Sequence, residues 1–519
     1  MKKRDNLEFI RNRGLLVLLL FSLLECIFFF DWANVLGCGV SIYGWLLMSR
    51  FVLIKKNLQR FLLPTLAVTG YIVCYYFLPL IVTFIELKPI TFNFEVPYLT
   101  FTNNFINVSV MVLAYCIAKY YYSDKNVLTK VWEKCGYFHQ FTEKQIWIIG
   151  FIGLFCWSIY AVFFLKYNQS ISEIAEGGEG GFISDFLKMV GGFAAFPMIL
   201  LNSKLAEFKT KTPKTWIYLY LLFFLLVTMA SGRRSTMLFP IISYLMLLVL
   251  VAIKERRFLF SSKKTGVFLI LFLVLSGPVS DIAFAMALNR VKNVNMFEGI
   301  WDTISDREKF HKLKSLALVT IDNSTSWNEY YVDNTILNRF CNLRVQDATL
   351  FYAKELGFND KGMKEFVNQY LLNEVPTFIT RNFGAKKILL NSPADYMTSR
   401  YFKEDWYSFG NRVSGDTGTG LFWLGYSYYP VALIIYSLFF YYLGSLVINR
   451  KGIQRIPLHI KCMVMVYFST FINGQGILIC IHTLVRGGYL GIFIFCFIAF
   501  IARTISGGRS IGLYRNILK

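Results

Sequence analysis

Histidine is scarce in this 519-residue chain, with 4 copies, and no spacing of His, Cys and carboxylate resembles a zinc site. No metal cofactor is therefore expected. Acidic side chains are few as well: 32 Asp and Glu stand against 54 Lys and Arg, a formal net charge of +22. A surplus of this size can signal nucleic acid. Here the basic residues gather in short loops between apolar runs, and no basic–aromatic nucleic-acid motif occurs, so that class is set aside. Paired cysteines are missing too. None of the 10 cysteines forms a Cys-x-x-Cys pair, and only Cys341 falls in a long polar stretch, which leaves no redox motif and no disulfide framework there. Nor is there a phosphate loop. The glycine-rich run from Glu176 to Gly181 lacks the Lys-Ser/Thr ending and reads as a flexible acidic loop.

What the chain has in quantity is apolar sequence: 55% hydrophobic residues, 51 Phe and 31 Tyr. Mean hydropathy is +0.47. This composition predicts an all-α polytopic membrane protein. Apolar runs near 14–30, 32–48, 61–85, 104–122, 146–165, 184–203, 215–230, 236–253, 265–288, 420–448, 459–480 and 487–502 give about 12 candidate transmembrane helices. The first is read as a retained helix, since no small-residue cleavage site follows Phe30. Basic clusters recur in alternate loops: Arg50/Lys55/Lys56/Arg60, Lys125/Lys130/Lys134/Lys144, Lys204/Lys209/Lys211/Lys214, Lys254/Arg256/Arg257, and Arg450/Lys451/Arg455. This alternation puts both termini in the cytoplasm. Three regions follow: helices 1–9 over residues 1–288, a large extracytoplasmic loop over 289–419, and helices 10–12 with a cytoplasmic tail over 420–519. The loop shows helical periodicity twice, with Phe310, Leu313, Leu316 and Ala317 on one face and Met363, Phe366, Val367 and Tyr370 on another. Such amphipathic segments are expected to lie along the membrane surface or cap it.

Arginine recurs where positive charge should be rarest. Arg233 and Arg234 sit in a tight turn that the span count places outside, and Arg290, Arg381, Arg400, Arg412 and Arg486 fall on the same side. Any one of them reads equally as a snorkelling interfacial side chain. Together they point to an anionic ligand, because guanidinium forks bind phosphate oxygens bidentately and keep their charge. His482 neighbours Arg486 on what reads as a short outer turn, Ile481 to Gly488, where acid–base work competes with a structural role. His139 and His459 read as structural and His311 as solvated. Glu374, Asp395 and Asp416 are the loop carboxylates that could activate an acceptor hydroxyl, each against a bland surface or ion-pair reading. The run Gly415 to Gly420 could let backbone approach a ligand or could simply turn into a helix.

Four short stretches then carry a resemblance. Gly232-Arg233-Arg234 precedes an apolar run. Val375 to Arg381, with Lys386 and Lys387 following, combines proline, aromatic and basic residues. Thr417 to Gly425 leads into the next run, and Arg486-Gly487-Gly488 opens the last. With the layout of about 12 spans and one large late outer loop, these resemble the O-antigen and capsular repeat-unit polymerases of the Wzy type. The resemblance implies a metal-independent, polyprenyl-phosphate-sugar type glycosyltransferase of the bacterial plasma membrane. It would transfer a growing glycan from undecaprenyl diphosphate onto a new lipid-linked repeat unit at the outer face. Under it, Arg234, Arg486, Arg381, Glu374 and His482 are the candidates for catalysis. Arg233, Arg290, Arg400, Arg412, Lys387 and Asp416 are the candidates for substrate binding. No cofactor is implied. The partners implied are undecaprenyl-diphosphate-linked oligosaccharides and membrane lipids, with a flippase and a chain-length regulator left open.

Two other readings compete. An O-antigen ligase shares the layout but would want a histidine in the large loop, where only His311 is available. A lipid-linked oligosaccharide transporter or flippase would be expected to show repeated halves and short loops, and neither is found in the sequence.

Overall fold

A computed structural model describes residues 6–123, 126–160, 180–230, 243–252, 330–334, 337–375, 392–403, 413–450, 453–471 and 476–507, with isolated positions between 281 and 310. It is nearly all helical. Five helical stretches are long and apolar enough to cross a membrane: Trp32–Val52, Leu62–Ile85, Pro97–Tyr121, Asp416–Ser445 and Gly476–Ile505. Shorter apolar helices cover Phe186–Leu201, Lys214–Thr228, Ser243–Ala252 and Leu458–Phe468. The helical membrane-protein class follows; a count of twelve spans is not fixed by these residues. Of the run at 265–288 only residues 281, 282 and 285 are described, and the periodic positions 313–317 lie outside the described residues.

Helix α1 (Asn6–Phe28) and α2 (Trp32–Leu47) are separate because Asp31 caps α2, its side chain accepting from Ala33 N at 3.2 Å. Helix α3 (Leu62–Ile72) runs through a wide π turn, Val73–Phe77, into α4 (Leu78–Ile85). The turn precedes Pro79, whose ring nitrogen cannot donate to the preceding turn, and it leaves the Cys74 carbonyl to accept from Asn342 N at 3.5 Å. Helix α5 (Pro97–Tyr121) follows a loop that Tyr330 and Asp347 grip through Asn93, Glu95 N and Val96 N. Helix α6 (Glu143–Ile159) starts in a capping box, with Thr142 and Gln145 each bonding the other's backbone.

The described part of the 289–419 segment includes α7 (Leu343–Leu356), α8 (Lys361–Glu374) and α9 (Pro393–Phe402). Asp360 caps α8 through Met363 N at 2.7 Å, and a Ser392–Asp395 capping box starts α9. The α8 face predicted to meet a membrane surface turns out to meet protein. Met363, Phe366 and Val367 are buried with Val345, Tyr352, Met397 and Phe422 in a second core. The physical reason is local: Asn359 N and Asp360 N donate to the Leu421 and Phe422 carbonyls, which pulls the start of α8 onto the next helix.

That next helix, α10 (Asp416–Leu424), is not the opening of one straight span with α11 (Tyr428–Ser445). Asp416 bonds the Tyr436 hydroxyl, and a Cβ on Gly420 would sit 2.0 Å from the Tyr428 ring. Twenty residues of straight helix would separate Asp416 from Tyr436 by about 30 Å. The chain reverses at Gly425, whose φ of +58 suits glycine. So α10 lies back against α11.

A further difference concerns the outer turn read at Ile481–Gly488. The chain is helical there: α13 (Gly476–His482), a π turn (Thr483–Gly487) and α14 (Gly488–Ile505) form one helical stretch. Helix α12 (Leu458–Phe468) ends earlier than the apolar run, in a turn at 469–471. No proline interrupts 476–505, and the glycine pair meets steric needs described below, so hydropathy alone misplaced the break. The all-α expectation also misses a two-stranded antiparallel hairpin, Ile448–Arg450 with Ile453–Arg455.

Candidate functional site

Glu374 is the last residue of α8 and His482 the last of α13. Their side chains meet, with His482 Nδ1 and Glu374 Oε2 at 2.5 Å. An ionised carboxylate only accepts, so beside such a carboxylate the proton of this bond lies on Nδ1. The imidazole is 32% exposed and the carboxylate 11%, a partly open site. Glu374 stands at the carboxyl end of its helix, where the macrodipole is negative and an acid is disfavoured. A cationic or proton-donating neighbour offsets that. Arg486, one turn beyond His482, reaches the same helix end, its Nη1 lying 3.5 Å from the Asn373 carbonyl. Tyr370, a turn before Glu374, has its phenol pushed up to about 12 by burial and by the Glu374 charge, so it stays a neutral O–H donor.

The glycines after Arg486 have steric reasons. A Cβ at Gly487 would fall 2.3 Å from His482 Nε2, and one at Gly488 would fall 2.4 Å from the Tyr442 hydroxyl. Any larger residue at 487 would displace the His482 ring.

Other residues singled out from sequence sit elsewhere. Arg400 is 45% exposed and pairs with Asp360 at 3.3 Å, bracing the start of α8. Asp395 closes the capping box with Ser392. Asp416 is 2% exposed, and its carboxylate accepts from Ile477 N at 3.3 Å, Asn107 Nδ2 at 3.3 Å and the Tyr436 hydroxyl. These bonds are all internal to the protein. Arg233, Arg234, Arg290, Arg381, Lys387 and Arg412 lie outside the described residues. Of the five catalytic candidates, then, Glu374, His482 and Arg486 come together.

Sequence reasoning missed a second polar centre. Arg344 and Asp347, both buried on α7, pair at 2.8 Å. Asp347 also accepts from Glu95 N, Val96 N and the Thr100 hydroxyl at the start of α5. Burial pushes this carboxyl above its usual range against the pull of Arg344. Close by on α5, Asn103, Asn104 and Asn107 are all buried. Amides at helical spacing inside an apolar run were the available signal, since each costs free energy unless it is paired. Among the described residues no cluster of three or more His, Cys, Asp or Glu could hold a metal ion.

No protein-family model, no curated protein and no solved structure matches this chain.

Proposed function

We propose that this protein is a polymerase that joins polyprenyl-diphosphate-linked oligosaccharide repeat units at the outer face of a bacterial plasma membrane, with about 12 spans and both termini inside. The observation that carries the reading is the 2.5 Å contact between Glu374 and His482 beside Arg486. Residues from the large outer segment and the last helix, far apart in sequence, form an acid–base pair next to a guanidinium. The four short stretches that resemble repeat-unit polymerases support the same reading.

In this mechanism an acceptor sugar hydroxyl attacks the anomeric carbon of the donor glycan. The new bond joins the acceptor oxygen to that carbon as the bond from the carbon to the diphosphate oxygen breaks. His482 Nε2 takes the hydroxyl proton, and Glu374 holds the Nδ1 proton and stabilises the imidazolium that forms. The electron pair of the broken bond leaves on the diphosphate, whose charge Arg486 receives, joined by Arg234 under the resemblance.

Lipid-linked glycan analysis of a deletion strain, with and without complementation, tests this. Single repeat units are expected on loss and polymer on rescue. Polymer that accumulates unattached would instead identify a ligase, and repeat units held on the cytoplasmic face would identify a flippase. Complementation by His482→Gln should leave single repeat units, and normal polymer from that variant would overturn the mechanism.

A further inference from the structure

We infer that Asp416 is a positioning residue for His482 and Arg486, a role that rests on the catalytic reading above. Its carboxylate joins four helices. Asp416 opens α10, Asn107 comes from α5, Tyr436 from α11 and Ile477 from α13. The first N–H groups of a helix have no partner within it, and an anion suits that end. Asp416 meets this need for α13 through Ile477 N. The approach is close by design of the backbone: Gly476 has φ +42, and a Cβ there would lie 1.5 Å from Asp416 Oδ1.

From Ile477 to His482 is five residues, about 7.5 Å of helix. A carboxylate fixed at one end of so short a lever sets the depth and rotation of the imidazole at the other. The 2.5 Å contact with Glu374 tolerates little movement. Displacement of a reacting group by about 1 Å can cost on the order of a hundredfold in rate. Because both Asp416 oxygens are engaged by protein, the residue acts through α13 and has no need to touch substrate.

The experiment uses the full-length protein labelled with 15N-histidine. Four histidines are present, and His482→Gln identifies the His482 signal. In Asp416→Asn the His482 signal should shift alone. Turnover should fall on the order of a hundredfold, with KM for the lipid-linked donor unchanged within about twofold. Tyr436→Phe, which removes one tie and keeps the ring, should give a smaller change in the same sense. An unmoved His482 signal in both variants overturns the proposal, and so does an equal shift of all four histidines, which would mean general loosening. If the wild-type protein shows no transfer activity but Asp416→Asn still moves the His482 signal alone, the polymerase reading fails and the positioning role stands.

Discussion

A carboxylate at the carboxyl end of a helix faces the negative end of the dipole, and Glu374 sits there with His482 and Arg486 as neighbours. Removing its charge should therefore harm function more than stability. Glu374→Gln should keep the fold but lose the partner that fixes the imidazole tautomer, and turnover should drop about a hundredfold or more. Measurement of kcat on purified lipid-linked repeat units checks this, and a loss confined to KM would contradict it. Arg486→Lys tests geometry apart from charge. An ammonium cannot reproduce the bidentate fork, and loss of one such contact in a dry site is worth about 3 kcal/mol, on the order of a hundredfold in rate. Arg11→Lys, at the opposite end of the chain, is the control. If Arg486→Lys gives wild-type chain lengths at normal protein levels, Arg486 is an interfacial anchor only. These residues were legible singly, because acids and imidazoles are few in such a chain and Arg486 stands apart from its basic clusters. Their meeting was not, because Glu374 and His482 are 108 positions apart and meet where α8 and α13 both pack against α10.

At the scale of elements, the stretch from Tyr330 to Asp333 is held to the loop before α5 by polar ties. Lys88 donates to Asp333 at 2.7 Å, Tyr330 at 3.0 Å and Glu86 at 3.1 Å. Tyr331 adds a bond to the Ile90 carbonyl at 2.7 Å. Burial alone would lower the Lys88 ammonium, but Asp333, Tyr330 and Glu86 outweigh it and hold it above its usual range. A raised folded-state value means stability that is fully present below the unfolded value, near 10.4, and lost as pH rises through the folded one. Lys88→Gln should then cost about 1 kcal/mol at neutral pH, a modest figure because Asp333 is 56% exposed. The gap in thermal midpoint between wild type and variant should narrow only at strongly alkaline pH. A gap that closed near pH 7 would contradict the assignment. Helix existence was readable here from caps and periodicity: Asp360 before α8 and Met363, Phe366 and Val367 along it. What covers that face was not, since an apolar stripe reads the same against lipid as against Phe422. The reversal at Gly425 and the continuity of 476–505 were hidden for a similar reason: hydropathy reports burial, not direction.

For the whole molecule, the alternating basic loops make a testable map. Cysteine probes near Asn359 should react with a membrane-impermeant reagent from outside, and probes near Lys130 should not. Reaction at Lys130 would overturn the orientation. The chemistry proposed places leaving-group charge on guanidinium, so polymerisation by the purified protein should continue in excess chelator. Abolition by chelator with restoration by a divalent ion would refute that. The membrane class was open to reading from composition, whereas the buried polar residues Arg344, Asp347, Asn107 and Asp416 needed the fold, because they come from α5, α7 and α10.

The π turn between α13 and α14 has an implication for length variation. A π turn holds one residue more than the α-helical turn it replaces. Deleting Val485 would remove that surplus and let 476–505 close as a regular helix with its two ends still facing nearly as they do. His482 would stay beside Glu374, and only the turn that carries Arg486 would tighten. A shortened variant of this kind would keep the pair and alter the reach of the guanidinium. One surplus residue thus lets a single helix hold the imidazole by its regular part and the arginine by its irregular one.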